Sequence, residues 1–111
     1  MAAPSNHSSV SETVKVTISH RLGKGEAVRR IKEGFAHTSG HLGPMIAIEQ
    51  HSWDEDTLRF RLRAFGQTAA ASIEVLEDML RIEVSLPRLL AKAANSLLAV
   101  LRKEATRLLA K

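Results

Sequence analysis

Residues of types that do chemistry crowd into "SHRLGKGEAVRR", positions 19 to 30: His20, Gly23-Lys24-Gly25, Glu26 and Arg30, with His37 and His41 a little further on. A glycine-flanked lysine at a helix start could cradle phosphate, and a histidine near a carboxylate could move a proton. Two histidines four residues apart on a helix could hold a metal. Each reading lacks a part. No Ser or Thr follows Lys24 as a phosphate loop requires. No carboxylate or third histidine is tied by spacing to His37 and His41, and no positioned nucleophile or acid–base pair is legible. Without cysteine there is no disulfide, thiolate ligand or thiol nucleophile. The chain therefore reads as a non-enzyme with no cofactor and no metal. The structural reading is favoured: His20 bonds the turn and Glu26 pairs with Arg30 at i, i+4. Contact with a ligand or partner at His20, Glu26, Arg30 and the lone Trp53 is the alternative, and Trp53 reads first as a hairpin packing residue.

The elements that must position these groups follow from periodicity. "VKVTISH" (14–20) alternates Val14, Val16 and Ile18 with polar residues, as a half-buried strand does. From Lys24 the spacing of Ala27, Val28, Ile31, Phe35 and Leu42 is helical, and Gly40, Gly43 and Pro44 stop the helix. Gly-Lys-Gly is then the strand-to-helix turn, with Glu26 in the first helical turn where the dipole favours it. Residues 45–53, 57–65, 67–76 and 79–86 read as a four-strand meander with turns at 54–56, Gly66-Gln67 and Glu77-Asp78. Closing the last two hairpins at those turns gives apolar rows Leu58–Val75–Leu80, Phe60–Ile73–Ile82, Leu62–Ala71–Val84 and Ala64–Ala69–Leu86. The other face carries Arg59–Glu74–Arg81, and Arg59, Arg61 and Arg63 read as its solvated side. Ala64, Ala69 and Ala71 let a helix approach closely or leave a pocket, and close packing is the default.

Pro87 ends the sheet, and residues 88–110 predict one long helix. At 100° per residue, Leu90, Leu97, Leu101 and Leu108 form a stripe, with Leu98 and Leu109 about 100° around it. That arc is wider than one sheet requires, so Leu98 and Leu109 are expected to meet another body, most simply a second copy of the chain.

The predicted whole is α+β: a five-stranded antiparallel sheet (β-α-β-β-β-β-α) with two helices on one face and the first strand beside the last. The single domain spans 14–111 and follows a disordered tail, 1–13. That tail is neither a signal peptide nor a spanning segment, and the chain reads as soluble, cytoplasmic and without a membrane span.

The net charge of +4 divides into +4 over residues 14–44, −4 over 45–87 and +5 over 88–111, with Glu12 in the tail. Basic character thus sits in the helical segments.

"HRLGKGEAVRRI" (20–31), Trp53 before its acidic turn, "LRFRLRAFGQTAAASIEV" (58–75), Glu77-Asp78 and "IEVSLPRLL" (82–90) together resemble the polyhydroxyalkanoic acid system proteins, or polyhydroxyalkanoate granule-region proteins. The likeness covers nearly everything after residue 13, although family members often carry an aromatic where this chain has Arg88. It implies an accessory role near polyester storage granules. The order of elements also resembles a shortened helix-grip fold, in which a long C-terminal helix lies across a curved sheet.

Three functions follow as expectations. The first is association with a granule surface or its proteins, through the surplus apolar arc and the basic flank formed by Arg102, Lys103 and Arg107. The second is a binding module for an acyl or other apolar ligand between the C-terminal helix and the sheet. The third, nucleic-acid binding, is motivated by a pI near 10.0 and disfavoured by three Phe, one Trp and no Tyr, which offer no stacking platform.

Overall fold

The computed structural model describes residues 11–36 and 46–110. In chain order these form β1 (Ser11–Ser19), α1 (Lys24–Ala36), β2 (Ile46–Asp54), β3 (Thr57–Ala64), β4 (Gln67–Val75), β5 (Met79–Pro87), a 3-10 turn (Arg88–Ala93) and α2 (Ala94–Leu109). The strands make one antiparallel sheet in the order β1-β5-β4-β3-β2, open at both edges, with β1 beside β5 as expected. Most of the expected tail, His37, His41, Leu42, the helix stop at Gly40 to Pro44, Met45 and Lys111 lie outside the described residues.

β1 begins three residues earlier than its apolar alternation, because Ser11 to Thr13 continue the ladder opposite Pro87 to Ser85. Between β4 and β5 the register is the expected one, with Val75 opposite Leu80 and Ile73 opposite Ile82. Between β3 and β4 it differs by two residues: Leu58 faces Ile73, Phe60 faces Ala71 and Leu62 faces Ala69. The turn there is Phe65-Gly66, not Gly66-Gln67, and both residues have positive φ (53° and 77°). A slip of two leaves every side chain on its own face, so the apolar pattern cannot detect it. The charged row changes instead. Glu74 keeps Arg81 at 2.9 Å, while Arg59 now faces Ser72 and lies 3.7 Å from Asp54.

Both helices cover the apolar face, where Ile31, Leu58, Leu62, Leu80, Ile82, Leu86 and Leu97 are fully buried. Each such side chain contributes about 1.5–3 kcal/mol relative to exposure. The residues after Pro87 wind first as a 3-10 turn, and no side chain caps the start of α2. This replaces the single α-helix expected over 88–110, as often happens where a helix starts directly from another element.

The wide apolar arc of α2 is filled from within. α1 lies beside α2, so one flank of the arc meets the sheet and the other meets α1. Leu109, expected at a second body, is 8% exposed within the chain's own core. Leu98 is half-buried against the same core. Gly34 makes the approach of the helices feasible, since a Cβ there would overlap the Leu108 side chain.

Candidate functional site

His20 follows β1 with its backbone N–H and both ring nitrogens engaged. Its backbone N–H donates to Asp78 O at 2.9 Å, and Leu22 N–H donates to its Nδ1 at 3.2 Å. Because Nδ1 accepts, the ring hydrogen is on Nε2, which donates to Leu76 O at 3.1 Å. The residue is 8% exposed. It staples the strand end to the β4–β5 turn and keeps no nitrogen for a metal or a substrate. Gly23 follows at φ 79°, and its carbonyl accepts Ala27 N–H at 3.1 Å to start α1. The Gly-Lys-Gly stretch is therefore turn and first helical residues, with Lys24 3.3 Å from Asp56.

Glu26 accepts from Arg29 at 2.6 Å and from Arg30 at 2.8 Å. These hydrogen bonds, Arg29's first, hold its carboxyl down from the ordinary 4.5 to about 2. Arg30 also donates to Leu109 O at 2.8 Å, placing a cation on the C-terminal carbonyls of α2, where the helix dipole favours it. Trp53 sits opposite Leu58 in the β2–β3 hairpin, with the Lys32 ammonium 5.2 Å from its ring centroid. Phe35 of α1 fills the adjoining space, its ring centroid 5.1 Å from that of Phe60 and 5.6 Å from that of His51.

The four residues singled out for ligand contact thus sit on three different seams: β1 to the β4–β5 turn, α1 to α2, and α1 to β2. The structure does not converge them on one pocket. Between helices and sheet, Ile31, Phe35, Phe60, Ile73, Leu101 and Leu108 enclose a gap of about 20 Å³. That is room for one water, far below an acyl chain. Among the described residues no group of three or more His, Asp or Glu could hold a metal.

What the fold does present is charge. Arg88, Lys92, Arg102, Lys103 and Arg107 are all exposed. Arg107 spends its charge on Glu104 at 2.7 Å. Arg88, Lys92, Arg102 and Lys103 have no carboxylate partner among the described residues. Arg59, Arg61 and Arg63 are exposed on the sheet's outer face, as their alternation predicts.

A family model described as the polyhydroxyalkanoic acid system proteins matches residues 14–109. The chain belongs to that family. The match runs from β1 to the end of α2, so the family is defined over the whole described fold except the first strand residues. The description assigns a system, polyhydroxyalkanoic acid, and no catalytic role. No curated protein and no solved structure matches the chain. No helix among the described residues is long and apolar enough to cross a membrane.

Two features escaped the sequence. Phe65, 53% exposed, occupies a hairpin position that favours Asn, Asp or Gly. A Gly flanked by two strand patterns marks such a turn but does not say on which side of it the turn lies. Gly34 had no signal at all, since its role depends on where Leu108 arrives from the far end of the chain.

Proposed function

We propose that this protein is a non-enzymatic accessory factor of polyhydroxyalkanoate storage that associates, in the cytoplasm, with the granule surface or its coat proteins through the outer face of α2. The observation that carries this reading is the set of exposed cations Arg102 and Lys103, with Arg88 and Lys92 before them, left without acidic partners among the described residues while the apolar face of α2 is consumed by the core. Attachment is therefore electrostatic. A granule coat of anionic amphiphiles or acidic proteins attracts such a face at about 1 kcal/mol per cation, so several must act together. Between the helices and the sheet, where the acyl-ligand reading places its ligand, the described residues leave a gap of about 20 Å³.

The experiment is co-sedimentation with native granules across a salt series, with the double variant Arg102→Glu/Lys103→Glu alongside. The wild-type chain is expected in the pellet at low salt. It should leave the pellet as ionic strength passes the physiological range, where the screening length is about 8 Å. The variant is expected in the supernatant throughout. A wild-type chain that stays in the supernatant at every salt concentration overturns the reading.

A further inference from the structure

The two edges of the sheet are not alike. β2 is interrupted by a bulge between Ile48 and Gln50, a device that spoils an edge for pairing. β1 runs for nine residues without bulge or proline. Its inward residues Val14, Val16 and Ile18 are only half-buried, because nothing lies beyond them in the sheet. His20 N–H donates to Asp78 O in the β1–β5 ladder, so the even-numbered residues of β1 face β5. The odd-numbered Thr13, Lys15, Thr17 and Ser19 then turn their backbone groups outward, where no described residue meets them.

We infer that β1 is the interface with a second copy of this chain, pairing antiparallel about a two-fold axis through Val16. The strand's own sequence suits this register. On the apolar face it sets Val16 opposite Val16 and Val14 opposite Ile18. On the polar face it sets Lys15 opposite Thr17 and Thr13 opposite Ser19, the residues whose backbone groups are free. Moving the axis to Lys15 would put the two lysines face to face, a destabilising pair. Moving it to Val14 would put Glu12 opposite Val16. Lys15 lies opposite Glu83 on β5. The product is a continuous ten-stranded sheet with both α2 helices on one side. Leu98, half-buried on α2, gives the second copy an apolar neighbour above the joined strands. This inference stands independently of granule binding.

Sedimentation of the full chain from micromolar to millimolar loading tests it, with three variants at the exposed Thr17. Thr17→Glu places a carboxylate opposite each Lys15 of the other copy and should tighten the dimer roughly tenfold. Thr17→Lys should weaken it by a similar factor. Thr17→Pro, which removes an outward N–H that the chain's own sheet does not use, should give monomer with an unchanged far-ultraviolet dichroism spectrum. A wild-type chain that is monomeric at millimolar concentration overturns the inference, and so does a dimer indifferent to all three substitutions.

Discussion

α1 and α2 come from segments carrying net +4 and +5, and the fold uses these charges in opposite ways. On α1 the cations are turned onto the molecule itself. Arg29 meets Glu26 and Glu33, Arg30 meets Glu26 and the end of α2, Lys24 meets Asp56 and Lys32 lies over Trp53. On α2 only Arg107 has a carboxylate partner among the described residues, and Arg102 and Lys103 face solvent. Net charge by segment therefore says little about which cations are available to a partner. What decides it is whether a carboxylate or a carbonyl lies within reach, and for α1 these come largely from its own helical turns and from the end of α2.

If this contrast is sound, removing a cation from α1 should cost stability and removing one from α2 should not. The largest effect is expected at Arg30, where Arg30→Ala deletes both the Glu26 pair and the bond to Leu109 O. A charge-assisted bond of this kind contributes about 1.5–3 kcal/mol, so the urea midpoint should fall accordingly. A midpoint within error of wild type would break the comparison at its centre.

A smaller loss is expected from Gly34→Ala. The added methyl meets Leu108, but alanine is the better helix former by about 1 kcal/mol and Leu108 is flexible and half-buried. A net destabilisation of about 1 kcal/mol should remain. In the Gly34→Ala/Leu108→Ala double variant the coupling should be favourable, because the overlap is gone. Strict additivity in a double-mutant cycle would show that the seam is loose.

The Glu26 cluster adds a pH dependence with a fixed sign. Its folded-state carboxyl sits near 2 against the ordinary 4.5, because Arg29 and then Arg30 hydrogen-bond to it. A depressed carboxyl contributes stability that is present above 4.5 and is lost as pH falls toward 2. Melting temperatures of wild type and Glu26→Gln should therefore differ at neutral pH and converge in that acid window. Curves separated by the same interval at every pH would refute the assignment.

The smallest stability effect belongs to Arg102→Ala/Lys103→Ala, expected within about 0.5 kcal/mol of wild type. The same variant should lose granule co-sedimentation at low salt. Retained binding would move the attachment site elsewhere on the molecule, and a large loss of stability would show that these cations do have intramolecular partners.

The sequence by itself determined the class of fold, the apolar face of every strand and the local pair of Glu26 with Arg30. These depend on periods of two and 3.6 residues and on contacts a few positions apart, which the chain states locally. Only the tertiary structure decided the rest. The β3–β4 register hinged on whether Phe65 or Gln67 joins Gly66 in the turn, and both choices preserve the faces. Leu109 was read as surplus because a helical wheel shows how wide an apolar arc is but not how many neighbours share it. Gly34 with Leu108, and Arg30 with Leu109 O, join residues more than seventy positions apart, and such contacts are set by how two helices settle side by side on one sheet.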